Sequence, residues 1–172
     1  ATMPPKIRTL ANRILTMPEE VSIAISKPAE GILQQAYMVY DHQKISLLKR
    51  LLSKDDHKSI LIFSNSKENV KKLGTDLFRA GLNVKSFHSD LEQVEREAIL
   101  NQFKNRQLQV LIGTDILSRG IDVEGIGLVI NFDTPHDAED YVHRIGRTAR
   151  AETTGIAITF INEKDQQKFS RI

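Results

Sequence analysis

The sequence predicts an α/β domain with a mainly parallel central sheet that helices cover on both faces. Short β-rich runs alternate with stretches of helical period about every 25 residues, which is typical of successive βαβ units. Two of the short runs, residues 60–63 and 110–112, are apolar without alternation. Strands buried on both faces have this pattern, so we expect both runs in the interior of the sheet.

The predicted elements follow in a regular order. A helix opened by prolines is expected over residues 4–15, and residues 17–33 are predicted to form an extended lead-in. Further helices are predicted over residues 42–52, 67–80, 91–103 and 138–145. Strands are predicted over residues 35–40, 59–63, 84–87, 109–112, 128–132 and 156–161. Ligands of open parallel sheets bind at the carboxyl ends of the strands, where loops begin at Ser64, His88, Gly113 and Asp133.

Composition narrows the class of protein. A chain of 172 residues with 40% apolar and 27% charged residues is typical of one globular domain. It has no cysteine, which excludes disulfides, thiol catalysis and thiolate zinc sites. No apolar run approaches the roughly 20 residues of a membrane span, so we expect a cytoplasmic protein with no membrane partner. The formal net charge of +2 means that any contact with nucleic acid must come from a few placed groups.

Residues 141–150, YVHRIGRTAR, are the strongest candidate for binding phosphate. Arg144, Arg147 and Arg150 recur at every third position, and on a helix or its terminal turn they would fan over part of one side. Each guanidinium offers a planar fork of donors that suits phosphate oxygens. The alternative is a basic helical face that pairs with acidic residues at 137, 139 and 140. The embedded glycine and the position near a loop edge favour the phosphate interpretation.

Residues 113–123, GTDILSRGIDV, follow a predicted buried strand. A glycine, a hydroxyl and exposed amides at a strand end can cradle phosphates, and Asp122 could accept a hydrogen bond from a ribose hydroxyl. Equally, Gly113 and Gly120 could only turn the chain while Thr114 caps a helix. The pattern leaves both interpretations open.

Residues 88–96, HSDLEQVER, are predicted to start a helix with Ser89 or Asp90 as its N-cap. Gln93 and Arg96 lie one turn apart and could both face a ligand. His88 has neither a cysteine nor a second histidine at metal-ligand spacing, so no metal site is predicted.

Two catalytic motifs are missing from the sequence. It contains no Gly-x-x-x-x-Gly-Lys-Ser/Thr phosphate loop and no acidic pair after an apolar strand that would hold magnesium. The chain therefore offers arginines for a phosphate without the groups that bind a whole triphosphate and its metal. We expect it to form half of a site.

Four segments, ILIFSNS (60–66), HSDLEQVER (88–96), VLIGTDILSRGIDV (110–123) and YVHRIGRTAR (141–150), resemble motifs IV, IVa with QxxR, V and VI of the DEAD-box ATP-dependent RNA helicases. The resemblance covers essentially the whole chain and is greatest to the bacterial RhlE-like subgroup. It implies a RecA-like three-layer αβα domain, the C-terminal core domain of such a helicase. Residues 1–33 would be the linker helix and lead-in after the N-terminal core domain, and residues 34–172 the helicase C-terminal domain.

The resemblance also implies an activity. ATP and single-stranded RNA would bind across the cleft to the N-terminal RecA-like domain, which would hold most of the phosphates and the Mg²⁺. The complete protein would be an RNA-dependent ATPase that unwinds short duplexes, whereas this chain alone would be inactive and monomeric. Contacts to the RNA backbone do not distinguish one base from another, so binding would be independent of the RNA sequence.

Individual roles follow from the matched motifs. Arg147 and Arg150 resemble arginine fingers that reach the γ-phosphate, and His143 and Arg144 would link this segment to the partner domain and to the γ-phosphate relay. The positions that resemble nucleotide contacts are Asp122, Arg119 and Gly120. The positions that resemble RNA backbone contacts are Ser66, Gln93, Arg96 and Thr114.

Two departures and two alternatives accompany the resemblance. Ala149 and Ser89 stand where most members have glycine, and Ser89 puts in doubt the approach of RNA near His88. One alternative function is a phosphate-reading RNA-binding module that acts alone, which tight binding of RNA by this chain would favour. The other is a DNA helicase of the same superfamily, which stimulation of the ATPase by DNA would favour.

Overall fold

Six strands form one sheet in the computed structural model, which describes residues 5–16, 31–54, 56–120, 123, 125–148 and 154–172. The strands are β1 (Ile32–Met38), β2 (Ile60–Phe63), β3 (Val84–Phe87), β4 (Val110–Gly113), β5 (Leu128–Asn131) and β6 (Gly155–Ile161). Their order across the sheet is β1-β6-β5-β2-β4-β3, and every neighbouring pair is parallel. The predicted α/β class is confirmed, and β2 and β4 lie in the interior of the sheet as expected.

Seven helices occur in the described part of the chain. They are α1 (Pro5–Ile14), α2 (Lys44–Leu52), α3 (Lys67–Arg79), α4 (Gln93–Lys104), α5 (Asp115–Gly120), α6 (Ala138–Ile145) and α7 (Gln166–Phe169), with a 3₁₀ turn at Asp41–Gln43 before α2. The sequence left open whether a helix follows Thr114, where α5 begins, and it did not predict α7, because segments of six and four residues are too short to show a helical period. No helix of the described residues is long and apolar enough to cross a membrane.

Strand β1 begins at Ile32, before the predicted start at residue 35. The early start is explained by parallel pairing with β6, in which Ile32 lies opposite Gly155. A partner so far along the chain leaves no local signal in the sequence. Most of the predicted lead-in, residues 17–30, lies outside the described residues.

Successive side chains of the sheet pack into two layers of hydrophobic core. Ile60 and Ile62 of β2 pack in the layer that contains α2 and α3, whereas Leu61 and Phe63 face the layer that contains Phe103 of α4. All four residues of β2 are fully buried. Burial contributes roughly 1.5–3 kcal/mol for each such side chain, which explains why uninterrupted apolar runs form the interior strands.

Helix α3 shows how local sequence sets an element and its distance from the sheet. Ser66 caps its first turn by accepting a hydrogen bond from the Asn69 backbone N–H at 3.1 Å. At Gly74 an added Cβ would collide with Ser86 Oγ of β3, so a larger residue would displace this hydroxyl from its hydrogen bond to the Val70 carbonyl. The Ser66 loop is thereby held at the carboxyl end of β2.

Candidate functional site

A buried arginine joins the loops at the carboxyl ends of β2, β4 and β5. Arg144 of α6 is 0% exposed, and its Nε and Nη2 donate to the two carboxylate oxygens of Asp115 at 2.6 and 3.0 Å. Nη2 also donates to Asn65 Oδ1 at 2.8 Å, and Nη1 donates to the Asp133 carbonyl at 2.9 Å. The guanidinium lies 5.3 Å from the centre of the Phe63 ring. Arg144 is therefore fully engaged inside the domain in this conformation.

The network continues through the carboxylate of Asp133. It accepts hydrogen bonds from Ser64 Oγ and, at 3.0 Å, from the Asn65 backbone N–H. On its other side, Lys44 Nζ lies 3.4 Å from Asp133 and 3.2 Å from Asp41. Because Lys44 is only 3% exposed, this ion pair anchors the start of α2 to the strand ends.

Sequence reasoning assigned no role to Asn65, Asp115 or Lys44, and it noted Asp133 only as the start of a loop. Asn65, Asp115 and Asp133 share a weak signal, since each lies within two residues of the end of an apolar strand. The signal does not show which polar residues turn inward, because that depends on the buried arginine from α6.

The end of α6 places Arg147 at the edge of this network. Helix α6 begins at the N-cap Asp137, which accepts a hydrogen bond from the Asp140 backbone N–H at 2.8 Å, and its C-cap is Gly146. Arg147 follows the helix, is partly exposed, and donates from Nε to the His143 carbonyl at 3.2 Å. A Cβ at Gly146 would lie 2.8 Å from the Val142 carbonyl oxygen, so glycine is required for this tight turn. The buried Thr148 then donates to the Ile126 carbonyl and fixes the chain beyond the turn.

His143 has no hydrogen-bond partner for its buried Nδ1 among the described residues. The nearest carboxylate oxygen recorded for it, Oε1 of Glu139 one turn earlier, is 4.0 Å away. This distance is too long for a hydrogen bond.

The four predicted RNA-contact residues lie at or just beyond the carboxyl ends of β2, β3 and β4. Ser66 caps α3, and Thr114 lies between β4 and α5. On α4, Gln93 donates to Glu97 Oε1 at 2.8 Å and Arg96 Nη2 donates to the Ser89 carbonyl at 2.6 Å. Because β2, β4 and β3 are neighbours in the sheet, these loops lie side by side along one edge.

The predicted N-cap of α4 is wrong. The helix begins at Gln93 with Glu92 at the cap, where the Glu92 backbone N–H donates to Glu95 Oε2 at 2.9 Å. Asp90 instead forms ion pairs with Lys67 and Lys71 of α3. These tertiary contacts compete with the local capping interaction that the sequence suggests.

Several predicted site residues cannot be placed. Asp122 and Arg150 lie outside the described residues, as does Ala149, and of Arg119 and Gly120 only the backbone at the end of α5 is described. No cluster of three metal-binding side chains occurs within the part of the chain that the structure describes.

The geometry can be compared with known proteins. The family model described as "Helicase conserved C-terminal domain" matches residues 43–152, which include β2 to β5 and Arg144 with its partners Asn65, Asp115 and Asp133. The chain belongs to this family. The complex of E. coli DEAD-box protein SrmB with regulator of ribonuclease activity A contains a similar chain, with 31% identity, a TM-score of 0.78, and coverage of 83% of this chain and 85% of that chain. The fold is thus a DEAD-box C-terminal RecA-like domain.

Longer relatives extend the comparison. S. cerevisiae Dbp5 bound to RNA and ADP BeF3 has a TM-score of 0.84 and 29% identity over 98% of this chain and 45% of that chain. DEAD-box ATP-dependent RNA helicase CshA of Bacillus licheniformis is 38% identical over all of this chain and 36% of its own length. The chain therefore spans about a third of the curated relative that it matches.

Proposed function

We propose that this chain is the C-terminal half of an ATP-dependent RNA helicase, which binds ATP and single-stranded RNA between itself and an N-terminal RecA-like domain. The observation that carries the proposal is the Arg144 network. It ties two loops with predicted RNA contacts, through Asn65 and Asp115, to α6, the helix that Arg147 follows. One edge of the domain thus combines RNA-facing hydroxyls with an arginine suited to phosphate. The similarity to Dbp5 bound to RNA and ADP BeF3 supports this arrangement.

The nucleotide side uses the end of α6. Arg147, which is partly exposed after the turn at Gly146, acts as the arginine finger that stabilises negative charge on the γ-phosphate in the transition state. Arg150 is the second finger, and His143 meets the partner domain. Arg144 acts as a positioning residue, since its donors are directed at Asp115, Asn65 and Asp133.

Other residues complete the nucleotide site. Asp122 accepts from the ribose, and Arg119 and Gly120 line the closed interface. The N-terminal domain supplies the phosphate loop and the carboxylates for Mg²⁺, since this sequence contains neither the phosphate-loop motif nor an acidic pair after an apolar strand. The metal would neutralise charge on the phosphates when bound.

On the RNA side, Ser66, Gln93, Arg96 and Thr114 contact the sugar-phosphate backbone. Hydroxyl, amide and guanidinium donors suit phosphate oxygens and the 2′-hydroxyl, so binding is independent of base sequence and weakens with salt. Joint binding of RNA and ATP closes the cleft and opens short duplexes.

The protein works in the cytoplasm, and the chain alone is monomeric. The amino-acid sequences of the four motifs support membership of the RhlE-like subgroup.

The test is an RNA-stimulated ATPase assay on the chain joined to its N-terminal domain. Arg147→Ala should lower kcat by at least about two orders of magnitude, because it removes charge stabilisation that exists only in the transition state. RNA binding should persist. Arg171→Ala, which removes an exposed arginine of the C-terminal segment, is the matched control and should leave the ATPase unchanged. Hydrolysis of ATP by this chain alone, or full turnover by Arg147→Ala, would contradict the proposal.

A further inference from the structure

A carboxylate bridges two lysines beside the predicted RNA contacts. Lys67 Nζ lies 3.0 Å from Asp90 Oδ1, and Lys71 Nζ lies 2.6 Å from Asp90 Oδ2. The lysines occupy the first two turns of α3, directly after Ser66, and Asp90 belongs to the loop after β3. All three side chains are close to half exposed. The triad therefore faces solvent at the same edge as the RNA-facing loops.

The surroundings of the triad are suited to an anion. Arg96 donates to the Ser89 carbonyl, next to Asp90 in the chain, so a third cation lies beside the same loop. Burial and then the positive charge of Lys71 lower the pKa of His88 at the end of β3, although Asp90 and Glu95 oppose the shift. The hydrogen bonds from Lys71 and Lys67 lower the pKa of Asp90 from 3.8 to about 2, so Asp90 stays ionised near neutral pH.

We propose that Lys67 and Lys71 form a further phosphate subsite for the RNA strand, next to Ser66 and Arg96, and that Asp90 occupies it in the free protein. The two carboxylate oxygens of Asp90 bridge the two ammonium groups as two oxygens of a phosphodiester would. An RNA phosphate therefore competes with Asp90 for the same donors. The carboxylate keeps both lysines in place and weakens non-specific attraction of anions. This inference rests on the proposed function, because it adds a contact to the same RNA-binding edge.

The experiment measures binding of a fluorescein-labelled decauridine by anisotropy, with a non-hydrolysable ATP analogue, across a range of KCl concentrations. The protein is the chain joined to its N-terminal domain. Lys67→Gln/Lys71→Gln should weaken binding about fivefold at low salt, the effect of one charge contact near 4 Å in water. It should also flatten the slope of log affinity against log salt by about 0.7, as expected for the loss of one phosphate contact on a single strand.

Asp90→Asn should act in the opposite direction, with tighter binding at low salt and a steeper salt dependence, because both lysines become available to phosphate. The opposite signs separate a phosphate subsite from loss of folding, which would weaken binding in both variants. Lys49→Gln/Lys54→Gln is the matched control. These exposed lysines lie at the end of α2, which leads into the amino end of β2 on the far edge of the sheet.

The outcomes are distinct. If the unmodified protein binds RNA and Arg96→Ala weakens binding, but the triad variants behave like the control, the subsite is wrong and the proposed function stands. If the unmodified protein does not bind RNA at all, both proposals fail. Opposite shifts in the two triad variants would establish the subsite.

Discussion

Two clusters of cations and carboxylates lie at the same edge of the sheet and differ in burial. Arg144 is fully buried, its guanidinium holds both oxygens of Asp115, and it contacts two further loops. Lys67 and Lys71 hold the two oxygens of Asp90 in a similar way, but all three side chains face water. Burial makes the first cluster a part of the fold, because an unpaired charge there would be costly. Exposure leaves the second cluster free to exchange partners at little cost.

The largest expected effect is on the buried cluster. Arg144→Met should lower the free energy of unfolding by about 2–3 kcal/mol, because it removes the hydrogen bonds that the fully buried guanidinium donates to Asp115, Asn65 and the Asp133 carbonyl. Urea denaturation of the chain measures this. Arg147→Met is the control and should cost less than about 1 kcal/mol, since Arg147 is partly exposed. Equal losses in the two variants would mean that burial does not separate the roles of these arginines.

A smaller effect should come from one added methyl group. Gly146→Ala should cost about 1–3 kcal/mol, because its Cβ would lie 2.8 Å from the Val142 carbonyl oxygen and force the turn to open. Ser89→Ala, a change of similar size in the exposed loop beside Asp90, should leave stability almost unchanged. Thermal unfolding followed by circular dichroism compares the two variants. A tolerated Gly146→Ala would show that the end of α6 is less tightly packed than the distances indicate.

The smallest effect concerns protonation near the exposed cluster. Burial and the charge of Lys71 hold the pKa of His88 below its usual 6.5, so as pH falls through 6.5 the unfolded chain binds a proton that the folded chain does not. Stability should therefore decrease as pH falls through this range. In Lys71→Gln the pKa of His88 should rise towards 6.5, although burial still lowers it. An NMR titration of the His88 ring measures both values, and a pKa above 6.5 in the unmodified chain would contradict the structure.

Much of the fold could be predicted from sequence because its strongest signals are local. The apolar runs of β2 and β4 and the helical period of α3 each report burial within a few residues. The short helix α7 and the start of β1 could not be predicted, since the first is too brief to show a period and the second depends on pairing with β6.

The candidate site was predictable in part. Motif spacing indicated the segments, and the strand order brings Ser66, Thr114 and Arg96 to one edge. The spacing of Arg144 and Arg147 suggested a shared helical face, but α6 ends at Ile145, and the two arginines part at the turn that follows. The local sequence likewise predicts Asp90 as a possible helix N-cap. In the structure Asp90 instead forms ion pairs with Lys67 and Lys71 of α3.

The sequence by itself determined the order of elements, the burial of the central strands and the residue types along one edge of the sheet. Tertiary structure alone decided that Arg144 turns inward, and that Asp90 meets Lys67 and Lys71. The physical reason is the separation along the chain over which each kind of interaction acts. Hydrophobic period and capping act between residues a few positions apart, whereas the energy of a charge depends on solvent exposure and on partners from distant segments, which are set only when the sheet assembles.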